Sequence, residues 1–465
     1  MPPRTRVLWT AVPAPSIPAV SLTRVAPAPP SAVGRAILAA GIPRIADATT
    51  PKQDAIGLLQ LAAEVEHALL VQYLYAAASI DATGGTDSQR ARGAITQVAI
   101  QEMGHLVCVQ NLLLALGGRD EHHLGRDSLR ATSDRNPLPL VLEPLSHAAL
   151  AKFVTVERPG DIADAALRTR VECLALEASS AAHFSPHPVS ALYAALYWIF
   201  QPTDHPFGPL PISDPSFTRG WHLTPADFLD PPAIDRFATT SDEWAGFPGL
   251  IVRAVRDATS GCNALFEIMA QGEGVPGDAE GSHFEDFLGV LDGFEANLVK
   301  TIPLCRSPRV NDQPPSEDSN ATTLTDPYTE PWARLFNIRY THLVFSIGHA
   351  LFLPIDDPDR AALVSLALSM MRPALAGVIR QLSRLKVDAA GTANAGPPFG
   401  LLDDTLPSEA AAFWVRHRTA LSAHANSVAA IKARPELATD SAGRLLLQQI
   451  AAVNQPLVDL VAAHP

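Results

Sequence analysis

Apolar residues recur at three-and-four spacing over Gln53 to Ile80 and again over Ser88 to Leu116, the pattern of two long amphipathic helices. The second run ends at Gly117-Gly118, a helix stop, and a short polar Gly-Gly turn around Gly84 joins the two. The same periodicity predicts helices at about 162–184, from Pro188 to Phe200, at 248–271 and from Asp278 to Lys300. The helix opened by Pro188 is apolar on every side, which predicts a central position. Further helices are predicted over 332–386, 407–433 and 440–462, with a Gly/Pro-rich stretch at 390–407. Strand signals are scarce and no fixed-period repeat appears, so the fold class is all-α.

The breaks in this pattern divide the chain. Residues 1–50 are rich in Pro, Ala and Val without a helical period and read as an extended arm that packs on the body or stays mobile. Residues 51–302 form the main helical unit, with an insertion at 201–246 dense in Pro, Asp and aromatics, including Trp221, His222 and Trp244. Loops of this length serve as lids or as ordered surface excursions. Residues 303–331 read as a connector and 332–465 as a C-terminal helical region.

Composition narrows the function. An apolar fraction of 47% in 465 residues allows one large or two moderate cores. The formal net charge of −13, with acids scattered along the chain, argues against nucleic acid or anionic lipid as partner and leaves a small molecule as the expected ligand. Cys108, Cys173, Cys262 and Cys305 form no Cys-x-x-Cys pair, so neither a zinc ribbon nor a disulfide framework is expected and a reducing cytoplasm is the default. Arg4 and Arg6 precede only the short run Val7 to Val12, interrupted by Pro13, Pro15 and Pro18, so neither a secretion signal nor a membrane span is predicted.

The candidate chemistry sits on the apolar faces. Glu66 shares its helix face with Leu59, Ala62, Leu69, Leu70 and Tyr73, which aims a carboxylate into the core. A lone buried charge is costly, so a proton, an ion pair or a metal must neutralise it. On the next helix Glu102 and His105 interrupt the stripe Ile95, Val98, Ala99, Leu106, Val109, Leu112 and Leu113. Three residues apart, they converge on one point, as in the Glu-x-x-His element of carboxylate-bridged di-iron bundles. The spacing returns in Glu280 and His283, ahead of the stripe Phe284, Phe287, Leu288, Leu291 and Phe294. Singly, Glu280 reads as a first-turn acid and His105 as a core histidine; together the five residues point to a metal. Tyr73 and Tyr193 are placed either to bond a ligand carboxylate or give an electron, or simply to pack. His67 points about 100° away from Glu66 in helical projection, and Glu273 either caps the following helix or orients a ligand.

At these residues the chain resembles the ferritin-like domain of the iminophenyl-pyruvate dimer synthase group, proteins associated with violacein and chromopyrrolate-type pigment pathways. The resemblance rests on Glu66-His67-Ala68 with Gln72-Tyr73-Leu74-Tyr75-Ala76, on Gln101-Glu102-Met103-Gly104-His105 with Asn111-Leu112-Leu113 and Gly117-Gly118, and on Gln271-Gly272-Glu273-Gly274 with Ser282-His283-Phe284. It covers about 57–300, with Leu335-Phe336-Asn337 and Tyr340 similar to the family's trailing region. It implies a ferritin-like four-helix bundle with additional C-terminal helices, and ligand roles for Glu66, Glu102, His105, Glu280 and His283. The family's Glu-bearing segment on the third bundle helix is matched by Val189-Ser190-Ala191-Leu192-Tyr193, which puts Ala191 where a carboxylate is expected. Three outcomes compete: one metal instead of two, a substitute ligand, or a degenerate site. Glu177 is the substitute the pattern offers, because Arg170, Cys173, Leu174, Ala181 and Phe184 place it on a mostly apolar face. His183 and His187, flanking a Ser-Pro turn, read as surface or capping residues.

Carboxylate and imidazole ligands without thiolate suit iron, one ion or two, or manganese. The leading expectation is a non-haem iron oxidoreductase that uses dioxygen on a small amino-acid-derived molecule of secondary metabolism, the last clause implied by resemblance alone. A non-catalytic metal-binding scaffold and a Lewis-acid catalyst acting on an imine or carbonyl are the alternatives. A homo-oligomer or a pathway-enzyme partner is compatible with either.

Overall fold

The computed structural model describes residues 7–10, 42–45, 47–126, 140–159, 162, 164–182, 189–201, 221–245, 249–273, 281–311, 318, 320–391, 393–403 and 405–464. Its element order is all-α apart from a two-stranded ribbon, in which β1 (Val7–Thr10) pairs antiparallel with β2 (Ile42–Ile45), Val7 opposite Ile45. The described end of the N-terminal arm therefore packs on the body. Buried Asp54 fixes it by accepting the Ile45 N–H at 2.9 Å and the Trp221 indole N–H at 3.0 Å. Gly57 makes room for the strand, since a Cβ there would sit 2.6 Å from Ile45 Cγ1.

The two long helices form as the periodicity predicts, α1 at Pro51–Ala78 and α2 at Thr86–Gly117. Thr50 caps α1 by accepting the Gln53 N–H at 3.2 Å, and Pro51 stands at the first turn, where a missing N–H costs nothing. Between the helices Gly85 adopts φ +100°, a conformation open to glycine.

A second layer closes the bundle, each of its two columns made of two short helices. One column contains α3 (His147–Val156), which continues over an outer helix α4 (Ala165–Ala182) to α5 (Val189–Phe200). The other contains α6 (Ala258–Glu273) and α7 (His283–Glu295). Helix α3 packs on α7, α5 on α6, α1 on α5, and α2 on both α6 and α7. Every residue of α5 is buried, as its uniform apolarity predicts.

Two elements differ from the sequence expectation. Helix α3 lies in a stretch read as irregular; Ser146 caps it by accepting the Ala149 N–H, and all its residues from Ala149 onward are buried. Residues 249–257, expected to be helical, are not helical and pass along α2, where Gly104 admits the backbone of Ile251 at 3.0 Å from the position of a Cβ. Their peptide groups bond side chains instead of one another: Arg253 N–H to Cys108 Sγ at 3.2 Å, and Arg253 C=O to Asn111 Nδ2 at 2.7 Å.

The expected single helix over 332–386 is three: α8 (Thr329–Phe352), α9 (Pro358–Ser369) and α10 (Ala376–Leu382). Pro354, Pro358 and Pro373 lack the N–H that a continuous helix needs, and Arg372, preceding Pro373, is extended at φ −125° and ψ 123°. With α11 (Ala410–Lys432) and α12 (Ser441–Ala462) they form a second core. Val71 and Tyr75 of α1 belong to that core, while Leu59, Ala62, Leu69 and Tyr73 belong to the bundle. Helix α1 is therefore buried from both sides.

In the second core, α8 and α11 are joined by a row of buried imidazoles. His342 Nε2 is 2.8 Å from His417 Nδ1, and His417 Nε2 is 3.0 Å from His349 Nδ1; His424 bonds Arg339 at 2.6 Å and Asn454 at 3.0 Å. Burial pushes His349, His417 and His424 down to about 3, the first two packed among Phe345, Phe413 and Trp414. The unfolded chain takes up protons below about pH 6.5 that the folded chain refuses, so each such histidine costs about 2 kcal/mol of stability at pH 5. Wild type is expected to lose more melting temperature between pH 7 and pH 5 than a His417→Gln variant. Equal losses would disprove the effect.

Candidate metal centre

Five buried side chains meet where the short helices of the second layer break. Glu66 comes from α1, Glu102 and His105 from α2, Glu157 from the C-terminal cap of α3, and His283 from the first position of α7. None is more than 3% exposed. His105 Nδ1 lies 3.0 Å from Glu102 Oε2 and 3.4 Å from Glu66 Oε2. His283 Nδ1 lies 3.0 Å from Glu102 Oε1 and 3.7 Å from Glu157 Oε2. Two triads result, Glu66–Glu102–His105 and Glu102–Glu157–His283, each with its ligand atoms within 4.8 Å of one another. Glu102 belongs to both, one oxygen facing each side.

The rest of the shell is matched about this residue. Tyr193 donates its hydroxyl to Glu66 Oε1 and Tyr73 donates to Glu157 Oε1, which leaves one oxygen of each acid facing the centre. His105 Nε2 donates to Gln271 Oε1 at 2.9 Å, and His283 Nε2 donates to Gln101 Oε1 at 3.1 Å. An amide oxygen only accepts, so each ring carries its proton on Nε2 and turns Nδ1 inward. The two rings are stacked, 5.5 Å apart.

The electrostatics describe what these groups do without a cation. Burial, with the Glu102 charge beside it, pushes the Glu66 carboxyl up to about 8. Burial and Glu102 also raise Glu157. Glu102 goes the other way: burial would raise it, but His283 and His105 hold it well below the usual carboxylate range. Burial alone would lower both imidazoles, yet hydrogen bonds to Glu102 and Glu66 hold His105 well above its ordinary value, and Glu102 brings His283 to about 9.

The residues fit a metal on a separate, geometric observation. Glu66 Oε2, Glu102 Oε1 and His283 Nδ1 are buried and make no hydrogen bond, although Glu102 Oε1 and His283 Nδ1 are 3.0 Å apart. Buried polar atoms that lie this close without bonding each other are arranged as co-ligands of a third atom. Three carboxylates and two imidazoles without thiolate form a donor set for iron or manganese.

Of the residues expected from the sequence, Glu66, Glu102, His105 and His283 come together, and Glu280 lies outside the described residues. Glu177 does not join them. It faces outward on α4, bonded to His147 at 2.8 Å, because α4 packs on the outside of α3. Ala191 is buried on α5, and it is Tyr193 of that helix that reaches Glu66. The third carboxylate is Glu157, unnoticed in the sequence along with the helix that carries it. One local signal was available: an acid ending an apolar helix opposes the helix dipole and calls for a compensating partner. His183 and His187 lie outside the described residues, as does the Glu273 side chain. Of the expected lid, residues 221–245 are an ordered excursion that buries Ile234, Thr239 and Trp244.

An all-α bundle enclosing a carboxylate and histidine centre defines the class, and residues 59–208 match the Ferritin-like family model. Over that segment the chain is similar to ferritin-like domains, and as a whole it resembles the iminophenyl-pyruvate dimer synthase group. It is 25% identical over 380 residues to the 2-imino-3-(indol-3-yl)propanoate dimerase of Chromobacterium violaceum, covering 73% of this chain and 33% of that protein. It is 24% identical over 403 residues to the dichlorochromopyrrolate synthase of Lentzea aerocolonigenes, covering 75% of this chain and 36% of that one. The chain thus spans about a third of the length of these curated relatives. No solved structure matches it.

Proposed function

We propose that this protein is an iron-dependent, dioxygen-using oxidoreductase that acts on a small amino-acid-derived molecule in secondary metabolism. The observation that carries the reading is the position of Glu102, shared between two triads of buried ligands. Glu66 and His105 would hold one ion, Glu157 and His283 the other, with Glu102 between them. Bound as Fe(II), such a pair would supply two electrons to dioxygen, and with them the oxidising power to take electrons from an organic substrate.

The chain's own residues provide the setting. Tyr73 and Tyr193 fix the orientation of Glu157 and Glu66 by occupying their outer oxygens. The Tyr73 ring packs on Phe153 and Phe287, with centroids 4.8 and 4.7 Å away, and this aromatic wall keeps water from that side. Gln101 and Gln271 are only half-buried, so the glutamine edge is the side on which a small molecule would approach. One relative is by its printed name a dimerase of 2-imino-3-(indol-3-yl)propanoate, a small imino acid, which supports an amino-acid-derived substrate here.

The test is anaerobic loading with Fe(II), followed by mixing with oxygenated buffer while absorbance is recorded. Two Fe(II) per chain are expected to bind and to oxidise faster than free Fe(II). Bound iron that oxidises no faster would refute the reading and favour a scaffold. Turnover supported equally by Zn(II) would refute it in favour of Lewis-acid chemistry.

A further inference from the structure

We propose that Gln101 and Gln271 are a matched pair of positioning residues, each fixing the tautomer of one metal-binding histidine with a neutral acceptor. The inference rests on the metal reading above and goes beyond it by assigning the residues that tune the two ions.

The arrangement is reciprocal. Gln101 of α2 holds His283 of α7, and Gln271 of α6 holds His105 of α2. Each imidazole is therefore clamped across a helix interface, and each glutamine ties the broken fourth column to α2 at the level of the centre. A histidine rotating about its Cβ–Cγ bond can present either nitrogen or carbon to the interior. An acceptor on Nε2 removes that freedom, because only with Nε2–H outward is the hydrogen bond kept and the Nδ1 lone pair delivered.

The choice of an amide has its own consequence. A carboxylate in the same place would draw the Nε2 proton toward itself and make the ring a stronger, more negative donor. It would also add charge to a centre that already holds Glu66, Glu102 and Glu157. A neutral amide orients the ring without adding charge. Less compensated ions favour the lower oxidation state, so the glutamines keep the reduction potential of the pair higher than carboxylates would. Among the described residues, these glutamines are the hydrogen-bond partners of the two Nε2 atoms, while the Nδ1 atoms face the carboxylates.

The experiment uses the full chain and Zn(II), which has no redox chemistry. Chelator competition counts and ranks the bound ions, and nitrogen NMR of labelled histidine reports which ring nitrogen carries the proton. Wild type is expected to bind two ions with both histidines protonated at Nε2. Gln101→Leu should weaken one ion by about 10–100-fold, Gln271→Leu should weaken the other by a similar factor, and both should lose the fixed tautomer. Metal-free melting temperatures show whether the variants fold. Gln101→Glu and Gln271→Glu should restore Zn(II) affinity and lower the reduction potential of the iron-loaded protein. Leucine variants that bind both ions with wild-type affinity and unchanged tautomers would overturn the inference. So would glutamate variants with an unchanged potential. Wild type that binds no ion would instead overturn the metal reading, and this inference with it.

Discussion

Substituting Glu102 by alanine is expected to abolish binding of both proposed metal ions, and substituting Glu157 to abolish binding of one. The difference follows from the two triads, because Glu102 offers one oxygen to each while Glu157 serves only the His283 side. Metal analysis after loading and gel filtration is expected to give two ions for wild type, one for Glu157→Ala and none for Glu102→Ala. Stability provides an independent readout. An ion that binds only the folded chain contributes about 2.7 kcal/mol at a hundred times its dissociation constant, and the Glu102→Ala protein should show no metal-dependent rise in melting temperature. Retention of two ions by that variant would remove Glu102 from the centre.

The second large effect lies outside the centre. Arg360 of α9 is 1% exposed and donates to Glu243 through Nε and Nη2, both at 2.8 Å. It also donates to the carbonyls of Phe237 and Leu353, both at 2.9 Å. This one side chain fastens the 221–245 excursion to the C-terminal helices. Arg360→Met leaves the Glu243 charge unpaired in a mostly buried position, and removal of one partner of a buried pair costs about 3–5 kcal/mol. Urea denaturation should show a loss of that size with metal stoichiometry unchanged. A loss below about 1 kcal/mol, the range of surface pairs, would show that the Arg360–Glu243 pair does not hold the excursion.

Much of the centre was legible because its ligands sit on strongly periodic helices. Glu66, Glu102, His105 and His283 each interrupt an apolar stripe, and a polar interruption of a buried face is visible wherever the face itself is visible. Glu157 was not legible in this way. It stands at the cap of a helix too short for its period to be noticed, and its partner His283 lies far along the chain. Glu177 misled for the converse reason. Periodicity marks a face as apolar but does not say which neighbour covers it, and α4 turned out to lie outside the bundle. The same ambiguity produced a helix over 249–257, where Val252 and Val255 are buried as their spacing suggests but on a non-helical backbone.

By itself the amino-acid sequence determined the all-α class, the two long helices and four of the five side chains that meet at the centre, since these follow from local spacing and the cost of a buried charge. Tertiary structure decided what spacing cannot express. It chose Glu157 over Glu177, gave Glu102 to both triads, set Tyr73 against Glu157 rather than Glu66, and brought Gln101 and Gln271 to opposite histidines. Each of these depends on which helix faces which across the core, and that is settled by packing of the whole chain rather than by any single segment.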